Sequence, residues 1–259
     1  MPGDITRQGA TLDNGGAFTA RLLPTAGIEP GMRVLDVGCG LGDVSLRLAA
    51  LVGSDGHVTG VDRDEAALAR ARDRAVAAGI GQVEFVAGDL DAEVLPSGPF
   101  DAIVGRRVLM YLPDPRRALR ALAKVMRSGG LIVFQEHDSA RVEGAPLPPL
   151  HARLRDMMWR MITHEGGNLH MGYELVPALR DAGFTIEGLQ VEASMFIPEQ
   201  DNLIAKMVPM MMPRLVAAGV ATPGDFDLDQ LERQLADERA ECGVPLSWET
   251  IFGAWARTG

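Results

Sequence analysis

Three glycines and two acids share the ten residues 34–43, "VLDVGCGLGD". A glycine turn between a strand and a helix is where open α/β sheets take nucleotide-like ligands: glycines let the backbone approach, and the helix N-terminus is electropositive. Gly38, Gly40 and Gly42 are spaced G-x-G-x-G, whereas the dinucleotide fingerprint G-x-G-x-x-G needs a small residue where this chain has Asp43. With Asp36 at the end of the apolar run, a pyrophosphate would meet two negative side chains. S-adenosylmethionine carries a cationic sulfonium and ammonium and no phosphate, so the same acids suit it. Asp62, closing a second apolar run, is placed for ribose hydroxyls, which either cofactor offers.

Acid–base chemistry has two further candidate places. "QEHD" (135–138) ends another apolar run with Glu136, His137 and Asp138, and "THEGGNLHMGYE" (163–174) holds His164, Glu165, His170 and Tyr173 in a glycine-rich stretch. His137 is the first choice for a general base, because an imidazole titrates near neutral pH. The alternative is that Glu136 or His137 ties down a loop. His170 ranks above His164 because it adjoins a helix start; a surface or hydrogen-bonding role is the alternative there.

These residues need a frame. "RVLDVG" (33–38), "HVTGVD" (57–62), "VEFVAGD" (83–89), "FDAIVGR" (100–106) and "LIVFQEH" (131–137) read as short buried strands bounded by turn signals. Between them lie helical patterns: 43–52, then "DEAALARARDRAVAAGI" with Asp64 as N-cap and Gly79 as stop, then "DPRRALRALAKVMRSGG" closing on Gly129–Gly130. The alternation implies an α/β fold with a parallel sheet covered by helices on both faces. Further on, "LPPLHARLRDMMWRMI" and "YELVPALRDAGF" read as helices and "TIEGLQVEASMF" as a sixth strand. Two more helical stretches and a closing strand, "WETIFGAWARTG", follow. The expected organisation is an N-terminal segment 1–29, helical and lid-like in part, and one domain 30–259. That domain carries cap insertions at about 138–171 and 199–243, placed to roof the carboxyl edge of the sheet.

The totals narrow the partners. A net charge of −10 over 259 residues argues against broad nucleic-acid contact. The apolar runs are too short for a membrane span. A polar N-terminus without signal-peptide layout, and two distant cysteines, point to the cytoplasm. Either a monomer or a homodimer is expected, with no heptad pattern to favour pairing.

Taken together, the motifs resemble the class I S-adenosylmethionine-dependent methyltransferases. "VLDVGCGLGD" is similar to their glycine motif, "VTGVDRD" to the acidic ribose motif and "VEFVAGDLD" to the adenine segment. "FDAIVGRRVLMYLPDP" resembles the strand-four motif, and "VMRSGGLIVFQEHD" the Gly-Gly turn into strand five. The nearest resemblance is to small-molecule enzymes related to the ubiquinone/menaquinone C-methyltransferases. It is clear over about 30–137 and fades across the insertions. It implies a Rossmann-like seven-stranded sheet with the last strand antiparallel, and S-adenosyl-L-methionine as cofactor with S-adenosyl-L-homocysteine as product. By resemblance, Gly38 and Gly40 pack on the methionine part, Asp36 orients the ammonium, and Asp62 holds the ribose with Arg63 beside the adenine. Asp89 and Leu90 flank the adenine, and the Gly105–Arg106 backbone lines the methionine side. Cys39 sits within the cofactor set or is a small buried residue. Arg106 and Arg107 either touch cofactor or substrate carboxylate or are ion-pair partners. Metal-dependent relatives need carboxylates at the end of strand four, where this chain has those two arginines, so no metal site is expected.

Transfer from a sulfonium needs alignment first and a base only when the acceptor must lose a proton. "MMWRMI" and "KMVPMMMPRL" hold seven of the thirteen methionines, beside Trp159. Methionines adapt to irregular ligands or simply fill a core. The expected acceptor is a small hydrophobic molecule, quinone-like or a secondary metabolite, methylated on oxygen, nitrogen or carbon. A rearrangement or cyclisation without methyl transfer is the rival enzyme reading, and a cofactor-sensing module the non-catalytic one.

Overall fold

The computed structural model describes residues 16–139, 147–196 and 203–259. Seven strands, β1 (Arg33–Val37), β2 (His57–Asp62), β3 (Val83–Ala87), β4 (Phe100–Arg106), β5 (Met126–Asp138), β6 (Thr185–Phe196) and β7 (Leu246–Arg257), form one sheet in the order β3-β2-β1-β4-β5-β7-β6. Strands β1 to β5 pair in parallel, and β7 runs antiparallel to β5. The order reverses between β1 and β4, so the carboxyl ends of those two strands open the crevice in which such sheets bind ligands.

Helix α1 (Gly16–Ala26) and helix α2 (Asp43–Val52) supply the apolar layer of one face. Phe18, Leu22, Leu23 and Ala26 join Leu48, Ala49 and Val52 over Val34, Val104, Leu131, Val133 and Ile251. Within the segment 1–29, expected to be helical and lid-like in part, Gly16–Ala26 is helical. The buried stripe of α1 belongs to the sheet core, and residues 1–15 lie outside the described residues. Helix α6 (Met171–Asp181) covers the opposite face: Gly172 lies against the Phe252 ring while Gly253, the next residue, lies against Phe18 and Leu22. Helix α3 (Glu65–Ala77) starts where expected, with the Asp64 carboxylate accepting from the Ala66 and Ala67 N–H groups.

Helix α4 (Pro115–Ala123) is shorter than its sequence pattern. The Phe100 N–H donates to Val125 O and Met126 pairs with Phe100, so "VMRSGG" enters the sheet across a register shift instead of extending the helix. Remaining helices are α5 (Pro149–His164), α7 (Leu203–Ala217) and α8 (Leu228–Cys242), close to expectation.

Two compact units result. One comprises 18–140, 162–193 and 249–259 and holds most of the sheet; the other comprises 1–17, 141–161 and 194–248 and takes in most of the two expected insertions. Within the latter, Met157, Met158, Met161 and Met212 are buried, and Trp248 stacks tilted on Trp159 and Phe196. These methionines fill a core. Glu238 of α8 accepts from the Leu150 and His151 N–H groups and lies 2.9 Å from His151 Nδ1, which ties α8 to the start of α5.

Candidate active site

The glycine turn between β1 and α2 is held open by left-handed backbone: φ is +64° at Gly38, +50° at Gly40 and +80° at Gly42. A Cβ at Gly38 would stand 2.5 Å from Val108 Cγ2, so the bare backbone is what lets the turn lie against the chain after β4. Asp62, at the end of β2, accepts from the Gly40 N–H (2.8 Å) and from the Asp64 N–H (2.9 Å). One carboxylate thus pins the glycine turn and the entry to α3, and both oxygens keep lone pairs for a ligand. From α3, Arg74 donates to Leu41 O (2.5 Å) and to Asp43 (2.6 Å), clamping the far side of the turn.

Two clefts meet at Gly38. The larger, about 640 Å3 including space open to solvent, is lined by Gly38, Val61, Asp62, Arg63, Asp89, Leu90, Arg107, Val108, Tyr111 and Leu112 among others. The smaller contains Asp36, Cys39, Gly40, Asp43, Val44 and Arg106. Asp36 is fully buried there, accepting from Ser45 Oγ at 2.5 Å. Burial pushes its carboxyl up to about 7, against the Ser45 hydrogen bond and the Arg106 charge, with Asp62 adding to the rise.

A chain of related folds could share this topology, but a domain-level match decides the family. The family described as a methyltransferase domain matches residues 28–172, more than half of the chain. The chain belongs to the class I S-adenosylmethionine-dependent methyltransferases. S-adenosylmethionine is their cofactor. Among curated proteins, an uncharacterized 37.1 kDa protein in transposon TN4556 of Streptomyces fradiae is 30% identical over 72% of this chain. The chain spans only about half of that relative's length, 53%. A ubiquinone/menaquinone biosynthesis C-methyltransferase UbiE of Ectopseudomonas mendocina is 29% identical over 64% of this chain and 69% of its own. Among solved structures, the [4+2]-cyclase SpnF shares the fold at TM-score 0.58 and 22% identity, covering 94% of this chain and 81% of its own.

The residues present in this methyltransferase domain fit the cofactor's chemistry. Four carboxylates, Asp36, Asp43, Asp62 and Asp89, line the clefts beside three arginines, and the turn lies close to Val108 because Gly38 lacks a Cβ. Of the residues expected at the site, Asp36, Gly38, Cys39, Gly40, Asp62, Arg63, Asp89, Leu90 and Arg106 line one cleft or the other. The Cys39 thiol itself is buried with Leu68, Ala71 and Phe85, and burial pushes its pKa well up, so its side chain is a small core group. Gly105 is not among the residues lining these two clefts; its missing Cβ admits the Phe134 ring, which a Cβ would meet at 2.3 Å.

His137 lies at the carboxyl end of β5, as expected. It is 3% exposed and lines neither cleft; its Nδ1 lies 2.8 Å from Glu249 Oε1 on β7. Burial, then the Arg107 charge, hold its pKa below the usual histidine range, leaving a neutral ring. Burial opposes the Glu249 charge, but His137 and Arg107 together keep that carboxyl ionised. Glu136 ties down a loop, the alternative role: its Oε1 accepts from the Val108 (3.0 Å) and Leu109 (2.8 Å) N–H groups that begin the 3-10 turn Leu109–Tyr111. Burial raises its pKa to about 7 despite those bonds.

His170 is exposed, with Nδ1 3.4 Å from Oδ2 of the fully buried Asp138. The loop before it is fastened by Asn168 N–H to Met110 O and Ser139 N–H to Leu169 O, so His170 sits beside the turn that walls the larger cleft. Arg107 joins cleft and core: it lines the cleft at φ +56°, and Glu249, Tyr111 and Glu136 outweigh burial and keep it charged. Sequence reasoning missed Glu249, Gln135 and Tyr111. An acid inside the otherwise apolar last strand was the only signal for Glu249.

Proposed function

We propose that the protein transfers a methyl group from S-adenosylmethionine to a small-molecule acceptor. The observation that carries this is the pair of carboxylate-lined clefts meeting at Gly38. The bound cofactor supplies a methyl group on a good leaving group, so the chain's task is to hold and align. Asp36 receives the ammonium, where a buried carboxylate gains most from a cation. Asp62 takes the ribose hydroxyls, Asp89 and Leu90 flank the adenine, and Arg63 covers its edge. Gly38 and Gly40 leave room for the methionine part. His170 with Asp138, and His137 with Glu249, are the two histidine–carboxylate pairs available for moving an acceptor proton.

A quinone-like or other apolar metabolite is the acceptor class we favour. The similarity to the ubiquinone/menaquinone biosynthesis C-methyltransferase of Ectopseudomonas mendocina supports it, and the net charge of −10 speaks against nucleic acid. Two free cysteines suit a cytoplasmic setting, and no described helix is long and apolar enough to cross a membrane. The second reading is a cyclisation or rearrangement on the same scaffold, favoured by the likeness to the [4+2]-cyclase SpnF.

Calorimetric titration with S-adenosylmethionine, alongside NADH and an Asp62→Ala variant, tests the cofactor part. Saturable binding, much weakened in the variant and absent for NADH, is expected; no binding to folded protein would sink the proposal. Product mass separates the two reactions, since only transfer adds a methyl group and releases S-adenosylhomocysteine.

A further inference from the structure

Strand β5 ends in four consecutive buried polar residues, Gln135, Glu136, His137 and Asp138. Side chains alternate along a strand, so Gln135 and His137 share a face with Leu131 and Val133, the face covered by α1. Three of their polar atoms, Gln135 Nε2 and His137 Nδ1 and Nε2, are buried without a well-formed hydrogen bond among the described residues; of these Nδ1 has a carboxylate oxygen at 2.8 Å, whereas the two Nε2 atoms are bare. Buried polar groups are nearly always paired, so two bare ones on the same strand face call for a partner from outside the described residues.

Both side chains are oriented from behind. Thr19 Oγ1 donates to Gln135 Oε1 at 2.6 Å, which leaves the amide NH2 as the free end. Glu249 Oε1 lies 2.8 Å from His137 Nδ1 and selects the tautomer with its proton on Nδ1, leaving a lone pair on Nε2. Ile251, the register partner of His137, lies in the α1-side core, so Glu249, two residues before it, reaches His137 on the same face. One free donor and one free acceptor thus stand two residues apart at the carboxyl end of β5, next to the β4 end that forms the clefts. A hydroxyl matches that pair, since its oxygen accepts while its hydrogen donates. An ether oxygen or an unactivated carbon matches only half of it, and an ammonium would meet the amide donors.

We propose that Gln135 and His137 receive the hydroxyl of the acceptor, with Thr19 and Glu249 as positioning residues, so that the protein methylates oxygen on a phenol- or enol-type molecule. This rests on the methyltransferase reading above. In the transfer the acceptor oxygen bonds the methyl carbon as that carbon's bond to sulfur breaks. The bonding pair stays on sulfur, and the hydroxyl proton passes to His137 Nε2, where the Glu249 carboxylate stabilises the imidazolium.

The test uses the full chain saturated with S-adenosylhomocysteine and labelled with 15N at histidine. Calorimetry first confirms that this product binds; failure there sinks the methyltransferase reading and not the hydroxyl site alone. With the product bound, the NMR signals of His137, assigned with His137→Gln, are expected to show a neutral ring protonated on Nδ1. Glu249→Gln is expected to mix the tautomers while product affinity stays within about threefold. Phenol should shift the His137 Nε2 signal, anisole should not, and Gln135→Leu should weaken the phenol response on the order of tenfold. A ring protonated on Nε2, or no phenol response up to its solubility in the natural sequence, overturns the proposal; should His137→Gln not fold, through-bond and through-space spectra of the natural sequence assign the same signals.

Discussion

Asp36→Asn puts stability and cofactor affinity in opposition. The Asp36 carboxyl titrates at 3.8 in an ordinary setting and at about 7 in the folded protein, chiefly because burial disfavours its charge. The folded state therefore binds that proton more tightly than the unfolded chain does. Its stabilising contribution is full below the unfolded value, is lost as pH rises from 3.8 to about 7, and is constant above that. A gap of about three pH units corresponds to about 4 kcal/mol by which the ionised group burdens the empty protein at high pH. Asparagine keeps the shape and can still accept from Ser45, but it has no charge to bury. The variant's advantage over the natural sequence should grow by about 2–3 kcal/mol between pH 5 and pH 8. Urea denaturation across that range measures it. Cofactor binding should move the other way. Loss of a charge-assisted contact to the ammonium should weaken affinity by about ten- to a hundredfold at pH 8. The natural protein should also lose affinity about tenfold per pH unit below 7 while the variant stays flat. A stability difference constant from pH 5 to 8 would refute the burial argument. A flat affinity profile in the natural protein would refute the placement of the ammonium on Asp36.

Gly38→Ala should lower stability by about 2–3 kcal/mol, since φ +64° and a 2.5 Å approach to Val108 act together, while Gly40→Ala, with nothing within 4 Å, should lose only about 1 kcal/mol. Thermal denaturation of the two side by side checks the ranking. Asp62→Ala should reduce stability by about 1–3 kcal/mol by releasing the Gly40 and Asp64 N–H groups, even without cofactor, which urea titration reads independently of binding. Arg107→Met removes one of the two groups that hold buried Glu249 ionised, and should destabilise by about 3 kcal/mol at pH 8. The loss should shrink towards pH 5 as the carboxyl takes up a proton; a pH-independent loss would mean that the side chain acts by packing alone.

Local signals accounted for much of this architecture. The Asp64 cap, the edges of β2, β4 and β6, and the glycine turn all follow from residue type within a few positions. The position of the acids in the clefts was equally legible, because a strand that ends in a carboxylate beside a glycine turn delivers it to the crevice whatever packs behind. Segment 124–130 misled, because its charged and apolar residues keep helical spacing while a hydrogen bond from Phe100 draws it into the sheet. Lys124 and Arg127 look the same to a helix count in either state.

The sequence by itself determined the alternation of elements, the family motifs and the carboxylates that line the two clefts, since each is a local matter of periodicity, turn geometry or charge. Only tertiary structure decided what "QEHD" does. Alternation along β5 sends Glu136 to cap a turn on one face and His137 towards α1 on the other, but it cannot say what waits there. The antiparallel return of β7 brings Glu249 to His137, and α1 brings Thr19 to Gln135, contacts between parts of the chain far apart in sequence. Burial and the pKa values that follow from it are properties of that assembled environment, and no short stretch of residues encodes them.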